Sequence, residues 1–228
     1  MRFSDLVQYF RRLEGTSGRN ALVEILAELF ARTPTEDVPP TAYLLQGRLA
    51  PFFEPVEIGL GNNYVADAIA RAFGANRATV LERFDRAGDI GEAAAEIAAE
   101  SDFSPAPTST PPVREIFDRL LGIARTTGAG SIGAKVEAFA SLLRELDPLS
   151  CNYLCRVPLG RMRLGVGEVE RSGRAASSAG PTGVPHPGSS RASSLIQAER
   201  RERSYRRTAL LNCRTRVCAN GQTRQPRE

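Results

Sequence analysis

Residues 22–30 read Leu-Val-Glu-Ile-Leu-Ala-Glu-Leu-Phe, and this stretch decides the fold class. Its large apolar residues Leu22, Ile25, Leu26, Leu29 and Phe30 follow the spacing i, i+3, i+4, i+7 and i+8, which places them on one face of an α-helix. Two later stretches repeat a helical stripe: Val113, Ile116, Phe117, Leu120 and Leu121, and then Val65, Ile69 and Phe73. Almost no segment alternates as a β-strand would, so the sequence predicts an all-α protein.

Prolines and glycines divide these segments into short helices. The signals are Pro34, Pro39, Pro40, Gly59, Gly61, Gly74, Gly88, the prolines of residues 105–112, Gly128, and Asp147 before Pro148 as a cap and first turn. They predict about eight to eleven helices. Segments this short cannot form a long coiled coil, and no repeat of fixed length aligns them, so we expect an orthogonal multi-helix bundle.

Composition suggests a helical body followed by a different kind of tail. The loop at residues 101–112 is long enough to divide the body into two lobes, about residues 1–100 and 113–168. Residues 169–228 are rich in Arg, Ser, Gly and Pro and poor in apolar side chains, so they are predicted to be a disordered tail.

The net charge of +4 sums two unlike parts. Residues 1–170 carry 17 Arg and one Lys against 23 acidic residues, a net charge of −5, whereas residues 171–228 carry 12 Arg against three Glu, a net charge of +9. A basic tail could attract nucleic acid or an anionic membrane, or it could simply be solvated. No signal-peptide or membrane-spanning stretch is evident, so we expect a cytoplasmic protein with no membrane partner.

The residue types that usually perform catalysis or bind metals do not form a recognisable pattern. The single histidine, His186, lies between two prolines, and the carboxylates are scattered over helical faces. The four cysteines, Cys151, Cys155, Cys213 and Cys218, lack the closely spaced C-x-x-C pairs of a zinc site. Cys151 and Cys155 are predicted to be reduced, partly buried thiols. The sequence therefore predicts a binding protein without a metal site.

A glycine-rich turn precedes one predicted helix. Gly128, Gly130 and Gly133 fit the dinucleotide fingerprint by spacing, but a helical segment comes before them and no βαβ unit surrounds them, and there is no Walker A lysine motif. Glycines at a helix start can nevertheless hold a phosphate through backbone N–H groups. The alternative is that each glycine merely ends a helix.

Two further stretches could contact phosphate in the same way. Residues 86–92, with Gly88 and Gly91, form a second glycine turn between helical segments. Arg161 and Arg163 flank Met162 beside glycines, which suits phosphate contact and plain solvation equally well. Paired turns of this kind could hold the sugar-phosphate backbone of DNA without reading its bases.

Several stretches together resemble one family, the N-terminal DNA-binding domain of ATP-dependent DNA ligases of the archaeal and eukaryotic replicative type. They are residues 43–51, 53–54, 57–61, 88–91, 128–135, 156 and 160–167. Their order and spacing match the family over residues 1 to about 168. The resemblance implies an all-helical domain that grips the backbone of nicked duplex DNA on both sides of the break. Residues at the matching positions are Gly88, Gly91, Gly128, Gly130, Ser131 and Lys135, and we add Arg161 and Arg163.

The resemblance stops before the family's catalytic region. A family member uses a lysine in a K-x-D-G motif, with ATP and Mg²⁺, to form an enzyme–AMP intermediate. Lys135 is the sole lysine of this chain and does not lie in that motif. We therefore expect no cofactor in this chain and no ligation by the chain alone, and we interpret the change near Val169 as a frameshift or truncation.

The resemblance also implies the partners of such a domain: nicked double-stranded DNA and the catalytic domain of the parent ligase, with the chain itself a monomer. An alternative is a helical module that docks a protein through its acidic body and binds no DNA, since nucleic-acid binders usually carry a basic face. Roles in DNA repair, replication and recombination follow from the resemblance alone.

Overall fold

The computed structural model describes residues 1–51, 53–102, 105 and 109–165. Within this part the chain forms nine α-helices: α1 Phe3–Glu14, α2 Arg19–Arg32, α3 Val38–Leu45, α4 Asn62–Phe73, α5 Arg77–Ala87, α6 Ile90–Glu100, α7 Val113–Arg125, α8 Ser131–Leu143 and α9 Pro148–Arg156. Among the described residues, β pairing is limited to one isolated bridge between Arg2 and Pro112. The predicted all-α, multi-helix fold is confirmed.

The helices end where the sequence signals predicted. Gly74 and Gly88 follow α4 and α5 in the left-handed conformation, with φ of 66° and 70°, which a residue without a Cβ adopts at little cost. Asp147 caps α9 by accepting hydrogen bonds from the amides of Leu149 and Ser150, and Pro148 occupies the first helical position. These capping residues explain why the helices are short.

One hydrophobic core joins the helices on both sides of the loop at residues 101–112. The most extensive helix packing is that of α6 against α9, followed by α4 against α8. The end of the loop returns to the start of the chain, where the amides of Phe3 and Val113 donate to the carbonyl oxygens of Pro111 and Met1 at 3.0 Å each. The two predicted lobes thus share a core, and their separation stays a prediction.

The predicted tail, residues 169–228, lies entirely outside the described residues. The chain divides into a unit at Met1–Ala179 and a second at Gly180–Glu228, and the described residues belong to the first. In the described part of the chain, each helix is too short or too polar to cross a membrane.

Cys151 and Cys155 are free thiols buried completely in the core. The prediction of reduced, buried cysteines is confirmed, although the burial is deeper than expected. Burial raises the pKa of both thiols, and the neighbouring negative charges add to the effect. These side chains therefore act as small apolar residues.

Candidate nucleic-acid interface

The turn before α8 leaves the start of that helix open. Gly128 and Gly130 have φ of 102° and 78°, and Gly130 occupies the N-cap position, where it offers no side chain. The amide of Ser131 donates to the carbonyl oxygen of Gly128, but the amides of Ile132 and Gly133 have no acceptor among the described residues. The turn is exposed, so these N–H groups and the positive end of the helix face solvent.

Lys135 joins this turn to two other segments. Its Nζ donates to the carbonyl oxygen of Ile58 at 2.9 Å and to that of Ala124, at the end of α7, at 3.5 Å. The ammonium also lies beside Gly59, since a Cβ built on that glycine would lie 3.4 Å from Nζ. Lys135 thus brings its charge into the interface while holding three segments together.

The start of α4 lies at the same end of the molecule and is also open. Gly61 is its N-cap and, like Gly130, provides no side chain to cap the helix. The helices α4 and α8 run in the same direction, since Lys135 near the start of α8 reaches Ile58 before α4, and Arg144 after α8 donates to carbonyl oxygens at the end of α4. Two positive helix ends therefore face one side.

Sequence analysis did not place the α4 start among the site residues. Residues 57–61 contribute to the family resemblance, yet by their pattern Gly59 and Gly61 predict only helix boundaries. A glycine at an N-cap position, where Ser, Thr, Asp or Asn usually stands, was the signal available. The N-cap glycine does not reveal that the start of α8 lies beside the start of α4, because their proximity depends on a contact between residues 77 positions apart.

The Gly88 turn has different chemistry. Asp89 caps α6, and its Oδ1 accepts hydrogen bonds from the amides of Gly91 and Glu92 at 2.7 and 3.4 Å. A Cβ at Gly91 would lie closer than 3.0 Å to the backbone oxygen of Asn152 in α9. The amide of Gly91 is therefore occupied and the residue permits close packing of α6 on α9, while its contact with DNA stays a prediction.

The segment after α9 brings two arginines to this turn. Arg163 lies with an Nη1–Oδ2 distance of 3.1 Å from Asp89, and it donates from Nη2 to the carbonyl oxygen of Gly88 at 3.4 Å. Arg161 is exposed. A small depression contains both arginines with Gly88, Asp89 and Asn62, the first residue of α4. The structure thus brings Gly88, Arg161 and Arg163 together and connects them, through Asn62, with the open helix starts.

A buried arginine lies beneath this depression. Arg156, with 2% of its side chain exposed, donates from Nε to Asp89 at 3.0 Å and from Nη1 to Glu14 at 2.9 Å. Its guanidinium also lies 5.1 Å from the ring centre of Tyr153, whose hydroxyl donates to Glu14. Burial acts to lower the pKa of Arg156, but the carboxylates of Asp89 and Glu14 outweigh it, and the pKa is raised.

Ion pairing neutralises most arginines of the acidic body but leaves basic side chains beside the turns without a carboxylate partner among the described residues. Most exposed or partly exposed arginines elsewhere pair with carboxylates: Arg12, Arg32, Arg71, Arg77, Arg83, Arg86, Arg114, Arg119 and Arg144. Arg125, Lys135 and Arg161 lie beside the turns of the interface, and none has a carboxylate partner in the described part of the chain. Arg11 and Arg19, on α1 and α2, lack one as well. A net charge of −5 over residues 1–170 therefore does not exclude a locally positive face.

The described residues define a helical protein in which the starts of α4 and α8 lack side-chain caps. A profile of the family described as DNA ligase N terminus matches residues 2–169, and the chain belongs to this family. It is 38% identical over 168 residues to a probable DNA ligase of Dictyoglomus thermophilum and 34% identical over 168 residues to DNA ligase 1 of Methanosarcina mazei. A probable DNA ligase of Aquifex aeolicus is also 34% identical over 168 residues. Each alignment covers 74% of this chain but 28% of the relative, so the chain spans less than a third of their length.

Proposed function

We propose that this chain is the part of an ATP-dependent DNA ligase that grips nicked duplex DNA through its backbone. The observation that carries the proposal is the common position of two uncapped helix starts, those of α4 and α8, beside Lys135. Open N–H groups at a positive helix end are suited to phosphate. Membership of the DNA ligase family supports DNA as the polymer to which that phosphate belongs.

The face offers contacts to phosphate and no obvious means of reading bases. Its donors are backbone amides, a lysine and arginines, which bind a phosphate whatever the neighbouring base. We therefore propose binding that is independent of sequence and strongly dependent on salt. Gly128, Gly130 and Ser131 would form one contact and Gly88, Arg161 and Arg163 another, with Lys135 and residues 59–62 between them.

Ligation would require more than this surface. Lys135 donates to two carbonyl oxygens and is followed by Val136, Glu137 and Ala138, so it does not fit a K-x-D-G nucleophile. In the described part of the chain, no three His, Cys, Asp or Glu side chains are grouped to hold a metal ion. We propose that ATP and Mg²⁺ are bound by a catalytic domain of the parent ligase. Roles in repair, replication and recombination, a monomeric state and a cytoplasmic location belong to the same proposal.

Binding by paired glycine variants tests the interface. Gly130 and Gly74 both have positive φ and open space around a would-be Cβ, but Gly74 lies at the opposite end of α4 from Gly61. Gly130→Val and Gly74→Val should therefore strain the backbone alike. We expect the full-length chain to retain a nicked duplex at low salt, and Gly130→Val to weaken that binding much more than Gly74→Val.

Equal binding by Gly130→Val and Gly74→Val would show that the Gly130 turn is not part of the DNA-binding surface. No retention by the unmodified chain would instead favour the alternative, a helical module that docks a protein. Incubation with labelled ATP tests the separate claim about chemistry, because covalent AMP on this chain would contradict it.

A further inference from the structure

Arg163 combines an unusual backbone with a fixed side chain. Its φ of 55° makes it the one non-glycine residue with a positive φ in the described part of the chain. Such a conformation is strained for a residue with a Cβ and persists where the surroundings enforce it. Its side chain is half exposed, yet one edge of the guanidinium is held by Asp89 and by the carbonyl oxygen of Gly88.

Asp89 is itself held rigidly from the inside. Its Oδ1 accepts from the amides of Gly91 and Glu92 and from Nε of the buried Arg156. Three donors on one oxygen leave Oδ2 directed at Arg163, and 5% of the Asp89 side chain is exposed. The carboxylate thus connects a buried cation with one at the surface.

Contact through one edge of the Arg163 guanidinium leaves its other N–H groups available to a ligand. A guanidinium carries five N–H donors in a fixed planar fork, and contact with Asp89 and Gly88 engages only the edge formed by Nη1 and Nη2. The remaining N–H groups lie on a half-exposed side chain in the depression that Arg161 also lines. A side chain fixed before binding loses less entropy when it meets a ligand.

We infer that Asp89, supported by Arg156, is a positioning residue that orients Arg163 toward a DNA phosphate beside the start of α4. The inference rests on the proposed function. It assigns Asp89 two tasks, capping α6 and aiming Arg163, and it makes Arg156 the buried anchor of a surface contact. Without this support Arg163 would remain a charge but would lose its direction.

Asp147, another helix cap, provides a matched control for the substitution of Asp89. Asp89→Asn keeps an N-cap acceptor but removes the charge that holds Arg163. Asp147→Asn makes the same change at the start of α9, where the carboxylate caps a helix and contacts no arginine among the described residues. Nicked-duplex affinity is measured against salt concentration, at a temperature where melting curves show each variant folded.

We expect Asp89→Asn to weaken binding roughly tenfold and to lower the salt slope by about one, as if one phosphate contact were lost. Asp147→Asn should leave both unchanged. In an Arg163→Ala background, Asp89→Asn should have little further effect, because the two residues act as one. An unchanged slope, or effects that add in the double variant, would overturn the inference.

Arg163→Lys provides the decisive variant if Asp89→Asn does not fold, because it leaves the buried cluster intact. A lysine keeps the charge but cannot present a planar fork. We expect it to bind nearly as weakly as Arg163→Ala, and binding at the unmodified level would overturn the inference. If the unmodified chain itself retains no nicked duplex, the proposed function fails first, and this inference with it.

Discussion

Lys135 donates a hydrogen bond of 2.9 Å from its Nζ to the carbonyl oxygen of Ile58, a residue 77 positions earlier in the chain. The bond ties α8 to the segment that precedes α4. Both helices begin without a side-chain cap, so one ammonium holds two positive helix ends together and adds its own positive charge to them. Lys135 therefore both stabilises the packing of these segments and, in the proposed function, supplies a charge to the DNA-binding surface.

Lys135→Met should reduce both stability and DNA affinity. The substitution keeps an unbranched side chain of similar length but leaves the carbonyl oxygens of Ile58 and Ala124 without this donor. We expect the free energy of unfolding to fall by about 1–3 kcal/mol in urea titrations. Arg125→Met removes one exposed charge nearby and should weaken DNA binding with a stability change within about 0.5 kcal/mol. Equal stability losses would show that the Lys135 contacts are not structural.

Ser131→Asp should move stability and binding in opposite directions. A carboxylate in the first turn of α8 interacts favourably with the positive helix end and should add about 0.3–1 kcal/mol of stability. The same charge would repel a phosphate at that position. Fluorescence anisotropy with a labelled nicked duplex should therefore show weaker binding by a protein that melts at a higher temperature.

Thr79→Asp is the matched control for that charge. Thr79 lies in the first turn of α5, at the end of the helix opposite to Gly88, and the two substitutions have similar helix propensities. We expect a comparable gain in stability and a smaller loss of binding. The same loss in both variants would mean that net charge, and not the α8 start, governs affinity.

Gly91→Ala should be destabilising where Gly122→Ala is stabilising. The added methyl group at Gly91 would meet the backbone oxygen of Asn152 closer than 3.0 Å, so α6 and α9 would have to separate. Gly122 lies inside α7 with open space around a would-be Cβ. We expect a loss of about 1–3 kcal/mol for Gly91→Ala and a gain of up to about 1 kcal/mol for Gly122→Ala by chemical denaturation. A neutral Gly91→Ala would contradict the close packing.

Local structure was predictable from the sequence because it depends on neighbours in the chain. The stripe at Leu22, Ile25 and Leu29 is the buried face of α2, and Val113, Ile116 and Leu120 are that of α7. The family was likewise predictable from motifs in register, and the comparison confirms it. Each signal needs only short segments of sequence.

The arrangement of the interface was not predictable in the same way. The contacts that form it join residues 67 to 77 positions apart, and no local sequence pattern predicts them. They are Lys135 with Ile58, Arg156 with Asp89, and Arg163 with Gly88. Gly88 and Gly130 also resemble each other in sequence context, although one turn leads into a helix capped by Asp89 and the other into an open helix. The Asp89 cap is a local contact, but the meeting of Arg156 and Arg163 on the same carboxylate depends on the fold.

Cys151 and Cys155 should make stability decrease at alkaline pH. Burial raises the pKa of both thiols in the folded protein, whereas thiols of the unfolded chain ionise near pH 8.5. Above that pH the folded state therefore holds more protons than the unfolded state, so the free energy of unfolding falls as pH rises, and below it the contribution is fully present. The slope should approach about 1.4 kcal/mol per pH unit for each thiol.

Urea titrations from pH 7 to pH 10 under reducing conditions measure this slope, and a Cys151→Ala, Cys155→Ala double variant supplies the comparison. The variant should be less stable at pH 7, because it loses buried sulfur contacts, but its stability should decline less steeply above pH 8.5. Tyr153, whose pKa is also raised by burial and by its hydrogen bond to Glu14, retains its effect in both proteins and contributes mainly near and above pH 10. Parallel curves for the two proteins would show that the thiols do not govern the alkaline limit, since only the difference in slope reports on Cys151 and Cys155.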